Sequence, residues 1–404
     1  MPLPRFIQIH TLHTYPAALL NRDDAGLAKR LPLGDAVRTR ISSQCLKRHW
    51  RDVDDHFSIS KLGFQLEERS TYFLNSIRDR LELADISAEL AQAAVEGLCD
   101  GLGLNQDKKK KDKFKTSEVL LLGVSEVNFL TDFCLEIAKI HGDKKALAEA
   151  IKEKIAQKPS KGEKSFKDNL KVMMEQCGLV SALFGRMITS DALADRDASI
   201  FVSHSFTVHK AQVENDYFTV VDDLMREAGD LGSAGIFDTE LASGLYYGYV
   251  VVDVPQLVEN LEAIAAKDCF ADSTPTERRE LAGRVVEHLL HLIATVSPGA
   301  KRGSTAPFDW AKFMLVEAGD WQPRSLAGAF HDALPLEVKG NTDTIRQRAV
   351  TRITQEISAM DEAYGAPLAR RFLALDAVEI AGAERANLTK LGEWASAIVR
   401  QGAC

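Results

Sequence analysis

FIQIHTL, residues 6–12, is the first patterned stretch of the chain. Apolar and polar side chains alternate along it, which places Ile7 and Ile9 on one face and Gln8 and His10 on the other. Alternation of this kind is typical of a β-strand. We therefore predict that these residues form the first strand of a sheet.

Strand and helix patterns follow one another along the rest of the chain. They lie at residues 42–51, 199–210, 245–254, 255–266, 276–297 and 312–316. With residues 58–187 set aside, the order is strand, helix, strand, strand, helix, strand. This order predicts an α+β fold of the ferredoxin-like or RRM type, in which helices cover one face of an antiparallel sheet.

Two insertions interrupt that order. Between residues 58 and 187, apolar residues recur at three- and four-residue spacing, which predicts one inserted lobe that is helical throughout. The predicted helices of this lobe are 66–83, 87–98, 118–141, 144–156 and 164–183. Residues 211–242 are longer than an ordinary hairpin loop and contain three glycines, so we predict a projecting arm there.

The composition is that of a globular protein. Apolar residues make up 45% and charged residues 27% of the 404 residues. The longest apolar runs are too short for a bilayer span, and the N-terminus lacks the pattern of a secretory signal. The six cysteines include no C-x-x-C pair, as expected for reduced thiols. These features predict a cytoplasmic protein without a membrane partner.

The net charge of −8 hides a segregation of charges. Residues 108–171 contain 16 Lys and 10 acidic residues, a local balance of +6 that leaves −14 for the rest of the chain. Phosphate binding depends on local clusters of cations, so the negative total does not exclude a nucleic-acid partner. The lysine-rich run itself is compatible either with solvated helix faces or with such a surface.

Signatures of enzymes are missing from the sequence. None of G-x-S-x-G, H-E-x-x-H, G-x-x-x-x-G-K-[ST] or G-x-G-x-x-G occurs, which disfavours hydrolase and nucleotide-binding mechanisms. His288 and His291 have a spacing that could bind a metal, but the leucines around them favour helix packing. We therefore predict no catalytic residue, no metal and no cofactor.

A cluster of polar and basic residues lies at the predicted helix 42–51. Its first residues, SSQ at 42–44, supply hydroxyl, amide and backbone N–H donors where the helix dipole favours an anion. Lys47, Arg48 and Arg51 follow at spacings that bring them to one side of the helix. Such a mixture is suited to holding phosphates without reading bases.

Several motifs resemble those of one family. LNRDD at 20–24 and RISSQCLKR at 40–48 resemble the N-terminal signature of the CasC family, the repeated backbone subunit of type I-E CRISPR Cascade complexes. Further matches are GRMITS at 185–190, FTVVDDL at 218–224, SGLYY at 243–247 and VSPGAKR at 296–302. Together they span most of the chain in the right order.

The resemblance implies a subunit shaped like a right hand, with an RRM-like palm, a helical finger lobe and a thumb. The corresponding divisions are 1–57 for the first part of the palm, 58–187 for the finger lobe, 188–210 for a palm strand, 211–242 for the thumb, and 243–404 for the remaining palm and the C-terminal helices. In this family, copies stack along one guide RNA and each thumb displaces one nucleotide at regular intervals.

The resemblance also implies which residues bind RNA. Those expected to hold the guide backbone are Arg22, Lys29, Arg40, Ser42, Ser43, Gln44, Lys47, Arg48 and Arg51. Those expected elsewhere along the RNA are Arg186, Met187, Thr219, Lys301 and Arg302. Met187 and Thr219 would flank the displaced nucleotide, with core packing as the alternative role for Met187.

The partners implied are a guide RNA (crRNA), further copies of the chain, other Cascade subunits, and target DNA through the guide. Base pairing would carry the sequence specificity, as in other guided effectors. The lysine tract at 108–115 matches no position in the family, and it is either a solvated loop or a contact with DNA.

Two other functions stay open at this point. Related backbone subunits of type III complexes cut target RNA with a thumb aspartate, and Asp222 and Asp223 lie in the predicted thumb. A monomeric RRM-like RNA-binding module outside CRISPR is the third possibility, although it does not explain the inserted arm.

Overall fold

The computed structural model describes residues 3–63, 67–104, 114–159, 165–166, 168–170, 178–186, 196–221, 233–365 and 368–404. The chain divides into two compact units. The sheet unit comprises residues 1–59, 200–254 and 272–404, and the helical unit comprises residues 60–199 and 255–271.

The strands are β1 (Phe6–Ala18), β2 (Arg30–Leu33), β3 (Ala36–Ile41), β4 (Glu68–Ser70), β5 (Leu120–Leu122), β6 (Ile200–Val202), β7 (Ser205–Thr207), β8 (Gln212–Val221), β9 (Ser233–Asp253), β10 (Phe313–Gly319), β11 (Ala369–Ala374) and β12 (Ala383–Arg385). The α-helices are α1 (Ser43–Asp52), α2 (Phe73–Leu83), α3 (Ala88–Gly101), α4 (Val124–Ala138), α5 (Lys144–Ala156), α6 (Leu179–Phe184), α7 (Val254–Glu262), α8 (Glu280–Thr295), α9 (Arg302–Thr305), α10 (Ile345–Tyr364) and α11 (Leu388–Gln401).

The sheet unit is built on one large sheet with the order β12-β11-β10-β1-β9-β7-β3-β2. Its central strands β10, β1, β9 and β7 are antiparallel neighbours. Numbered along the chain, these four strands give the spatial order 4-1-3-2 of the ferredoxin-like fold. The predicted α+β, RRM-like palm is therefore confirmed.

The sheet is buried on both faces, and the predicted one-sided cover is wrong in this respect. Residues 6–12 of β1 are buried without interruption, as are all residues of β10. Val350 and Ile353 of α10 pack with Leu12 in the core on one face. On the other face, Trp50 of α1 and Ile293 of α8 line a small cavity together with residues of β1. Continuous burial of a strand requires cover on both sides.

The polar face of β1 is buried by a hydrogen-bonded network. The ring of His10 lies 2.9 Å from the hydroxyl of Tyr247 and 3.3 Å from the carboxylate of Glu317. Arg324 and Arg370 donate to the same carboxylate at 2.6 Å. These partners supply the hydrogen bonds that buried polar groups need, so this face tolerates burial without being apolar.

A bulge marks the point where β9 continues beyond the centre of the sheet. The pairing of β1 with β9 shifts register between Tyr15 and Ala18, and Ala17 adopts a left-handed φ of 41°. The backbone N–H of Ala17 donates to the hydroxyl of Ser243 at 2.7 Å. Beyond this point β9 pairs with β8, and we call these paired segments, residues 212–221 and 233–243, the arm.

The helical unit contains α2 to α6, most of α7, and a small sheet in which β4 pairs with β5. The prediction that residues 58–187 are helical throughout is wrong at these two strands. The apolar run 120–122 forms the strand β5 and is buried, and a run this short has no periodicity that separates a strand from a helix.

The helical unit also includes residues 255–271, which the sequence placed with the palm. The side-chain amide of Asn260 donates to the carbonyl oxygens of Ala182 and Asp197, at 2.9 Å in each case. These bonds join α7 to α6 and to the segment before β6. Among the described residues, no helix combines the length and the apolar character that crossing a bilayer requires.

Candidate nucleic-acid interface

The sheet unit has an open groove of about 680 Å³ beside the start of α1. Three segments form its walls, namely the loop after β1, helix α1, and the loop that leads into α9. The lining residues are Leu20, Asn21, Arg22, Ser42, Gln44, Cys45, Arg48, His49, Asp52, Val53, Gly299, Ala300 and Arg302. Five of the residues predicted to bind RNA are thus brought together in this groove: Arg22, Ser42, Gln44, Arg48 and Arg302.

Local hydrogen bonds fix the start of α1. Ser42 is the N-cap, as predicted, and its hydroxyl accepts from the backbone N–H of Cys45 at 3.3 Å. The backbone N–H of Ser42 donates to the side-chain oxygen of Asn21 at 2.9 Å, which joins the loop after β1 to the helix. The groove therefore has a wall whose polar groups are held in place before any ligand binds.

His204 also contacts this helix start. The backbone N–H of Ser43 donates to Nδ1 of His204 at 3.0 Å, so the proton of the neutral ring lies on Nε2. Burial and the positive charges of Arg40 and Lys29 lower the pKa of His204, which favours this neutral form. The backbone donor of Ser43 is therefore occupied, whereas the prediction used this residue as a donor for phosphate.

The groove is electropositive around Cys45. Burial raises the pKa of the Cys45 thiol, and the nearby charges of Lys29, Arg48 and Arg302 act in the opposite direction. The side chain of Arg48 is 75% exposed, and Arg302 is anchored by donation to the carbonyl of Ser297 at 3.2 Å. The positive charges of Lys29, Arg48 and Arg302 around Cys45 together favour an anionic ligand.

One carboxylate moderates this charge. Asp52, at the end of α1, accepts from Nε of Arg48 at 3.3 Å and from Nε of Arg51 at 2.8 Å. Arg51 is only 19% exposed at its side chain and does not line the groove. Asp52 was not among the residues predicted for this site, although its position four residues after Arg48 indicates such an ion pair.

The other predicted residues of this region lie outside the groove lining. Arg40 donates through Nε to the carbonyl of Arg30 at 3.2 Å, and Lys29 lies on the strand-side loop next to it. Ser43 and Lys47 are half-buried residues of α1. Ser43 and Lys47 thus lie on α1 and Lys29 on the loop after β1, whereas Arg40 lies on β3, and none of the four lines the groove.

Lys301 faces the arm. Its Nζ donates to the hydroxyl of Thr239 on β9 at 2.6 Å and lies 5.8 Å from the ring centroid of Phe218 on β8. Thr219, next to Phe218, is exposed and pairs with position 236 across the arm. Residues 302–305 form the short helix α9.

Gly299 allows the chain to pass closely at the groove wall. A Cβ atom at this position would lie 2.7 Å from Cγ of Pro307 and 3.0 Å from Cγ of Arg302. Only glycine avoids both contacts without displacing the side chains of Pro307 and Arg302.

The structure contradicts the prediction for Arg186. Its side chain is 1% exposed and donates through Nη1 to Glu126 at 2.8 Å and to the carbonyl of Leu121 at 3.0 Å. A guanidinium buried in this way packs inside the helical unit and does not present itself to RNA. Met187, Asp222, Asp223 and residues 108–113 of the lysine tract lie outside the described residues.

The two histidines with metal-like spacing pack against an aromatic ring. Nδ1 of His288 lies 3.0 Å from the carbonyl oxygen of Phe57, and the ring of His291 stacks on Phe57 with centroids 3.5 Å apart. Within the described part of the chain, no group of three or more His, Cys, Asp or Glu side chains is arranged to hold a metal ion.

Comparison with known proteins gives consistent matches. A family model described as CT1975-like protein matches residues 7–397. A solved chain described as "CRISPR RNA-guided surveillance complex, pre-nicking" has 26% identity and a TM-score of 0.76, and the match covers 98% of this chain and 100% of that one.

A second solved chain, described as "CRISPR RNA-guided surveillance complex", has 23% identity and a TM-score of 0.67, with 97% of this chain and 99% of that chain covered. At this identity the second match shows a likeness of fold. No curated protein sequence matches the chain.

Proposed function

The chain belongs to the family of CT1975-like Cas proteins, and we propose that it is a component of a CRISPR surveillance complex, namely the non-catalytic backbone subunit of a type I-E Cascade complex. In this role, copies bind side by side along a guide RNA. Each copy holds the ribose-phosphate chain and leaves the base edges free to pair with target DNA. Other Cascade subunits complete the complex.

The groove beside α1 carries this proposal. It combines the exposed guanidinium of Arg48 with Arg22, Arg302 and the amide of Gln44, all on walls fixed by backbone hydrogen bonds. Arginine and amide side chains at a helix start are the groups that proteins use to contact phosphates and sugars. Since such contacts carry no base information, they suit a protein that binds guides of any sequence.

The arm supports the stacking of copies. Tyr217, Phe218 and Phe237 are exposed on it, and the last two rings stack with centroids 5.6 Å apart. A cluster of exposed aromatic side chains on a monomer is typical of an interaction surface. We assign this surface to contact with the next copy and its guide, where Thr219 would lie beside the displaced nucleotide.

The test is RNA-dependent assembly. The purified chain, of 44.5 kDa, is measured by size-exclusion chromatography with light scattering, alone and with two single-stranded guide RNAs of different length. The proposal expects a monomer without RNA and a number of bound copies that rises with guide length. One copy per RNA at both lengths would support a monomeric RNA-binding module instead.

The non-catalytic part of the proposal has its own test. The assembled complex is incubated with complementary RNA and Mg²⁺, and the products are separated by size. The proposal expects intact RNA. Regularly spaced products that disappear in the Asp222→Ala or Asp223→Ala variant would assign the chain to the RNA-cleaving backbone subunits.

A further inference from the structure

Two exposed aromatic side chains lie a few residues after Arg302, which lines the groove. Phe308 and Trp310 are each 71% exposed, and the residues around them, Pro307 and Ala311, are buried. Exposure therefore alternates along residues 307–311, with one exposed ring on each side of Asp309 in the sequence.

The segment is held rigidly through the residue between the two rings. The carboxylate of Asp309 accepts from the backbone N–H of Thr14 at 2.7 Å and pairs with the ammonium of Lys312. The backbone N–H of Asp309 donates to the hydroxyl of Ser297 at 2.8 Å, and this hydroxyl donates back to the carbonyl of Asp309 at 3.0 Å. Because Asp309 is paired, its charge is neutralised and does not repel a phosphate chain nearby.

The same segment is continuous with the groove wall. Pro307 lies against Gly299, which lines the groove, and Arg302 donates to the carbonyl of Ser297 at 3.2 Å. One set of contacts thus anchors both the groove cation Arg302 and the aromatic segment. A chain that leaves the groove on this side would meet the two rings.

Two exposed rings close together in the sequence suit a planar ligand. Stacking on aromatic side chains accepts every base, because each base has a π-face. Sequence-independent binding is the property that the groove itself would need.

We propose that Phe308 and Trp310 form a stacking site for a nucleobase of the RNA strand whose phosphates occupy the groove. This inference rests on the proposed function, since it takes the RNA in the groove as given. It adds a contact with base faces to a surface otherwise suited to the ribose-phosphate backbone. The edges of the stacked base stay free.

The experiment compares two RNA probes on the full chain by fluorescence anisotropy. One probe is a labelled single-stranded RNA and the other has the same length with abasic residues at every second position. The proposal expects Trp310→Ala, and likewise Phe308→Ala, to weaken binding of the normal RNA about 10-fold, or about 1.4 kcal/mol, and to change binding of the abasic RNA by less than about twofold. The control is Trp321→Ala, at a tryptophan that is 47% exposed and lies outside this segment; it should bind both probes as the wild type does.

Three outcomes would overturn the stacking site. Unchanged affinity of Trp310→Ala for normal RNA is the first, and equal weakening on both probes is the second. The third is a variant that binds RNA with normal affinity but no longer assembles into multiple copies, because this result would assign the rings to a protein partner. If the wild type bound neither probe at low salt, the proposed function would fail as well, whereas the first three outcomes leave RNA binding by the groove intact.

Discussion

Arg186 and Glu126 form a buried ion pair inside the helical unit, with Nη1 of the arginine 2.8 Å from Oε1 of the glutamate and both side chains at most 2% exposed. The second carboxylate oxygen of Glu126 accepts from the backbone N–H of Gly123 at 2.8 Å. The pair therefore joins the start of α4, strand β5 through the carbonyl of Leu121, and the chain that follows α6.

Replacing Arg186 with Met should lower the stability of the folded protein without weakening its affinity for RNA. The change leaves the Glu126 carboxylate buried and unpaired, so we expect the free energy of unfolding to fall by about 3–5 kcal/mol. Urea denaturation measures this loss, and Glu126→Gln in the same chain should recover part of it. If the folded Arg186→Met variant bound RNA much more weakly than the wild type, the original prediction that Arg186 contacts RNA would stand.

Removing cations from the groove should weaken RNA binding for every sequence alike. We expect Arg48→Ala and Arg302→Ala each to lower affinity several-fold and to reduce the slope of log K against log salt by about 0.7. Filter binding at several salt concentrations, with two unrelated RNAs, provides both numbers. The matched control is Arg400→Ala, which breaks a surface ion pair with Glu280 at 3.3 Å. A loss that depends on the RNA sequence would count against backbone binding.

Replacing Asp52 with Asn should strengthen RNA binding. The change removes the carboxylate that pairs with Arg48 and Arg51 beside the groove, and we expect affinity to rise about two- to fivefold. Stability should change by less than about 1 kcal/mol, because the pair is at the surface. Asp79→Asn, which removes one of the two carboxylate partners of Arg78 in the helical unit, is the control. Equal effects of the two variants would show that only the total charge matters.

Stability should fall below neutral pH because of His13. Burial lowers the pKa of this histidine from 6.5 to about 4. Between these values the unfolded chain binds a proton at His13 and the folded chain does not, so this contribution is complete above pH 6.5 and decreases as the pH falls, by about 1.4 kcal/mol per pH unit. Urea denaturation from pH 7 to pH 4 should show a shallower dependence for His13→Gln than for the wild type, and His331→Gln, at an exposed histidine, is the comparison. Parallel curves for His13→Gln and wild type would contradict the expectation.

Local patterns in the sequence predict local structure well. Helix α1 and its cap at Ser42 follow from residues within one turn, and the alternation of Ile7 and Ile9 identifies β1. The order of the central strands follows from the same patterns. The short strand β5 does not, because three consecutive leucines carry no period.

Contacts between distant residues could not be predicted in this way. Burial of His10 depends on Glu317, which is 307 residues away, and the position of Ser43 depends on His204, which is 161 residues away. Arg186 shows the limit of a motif, because a string that resembles a family signature identifies a segment of the chain but does not tell which of its side chains turn inward. The groove requires three segments to meet. The polar and basic pattern indicated only α1, and the family resemblance added Arg22 and Arg302 on the other two segments.

Strand β9 runs for 21 residues from the arm to the middle of the sheet, or about 70 Å of extended chain. Its main-chain bonds to β8 at one end and to β1 at the other tie the arm to the sheet through one continuous strand. In the proposed stack of copies, the length of this strand would set the distance from one copy to the next. Guides of any nucleotide sequence would then be divided into equal steps.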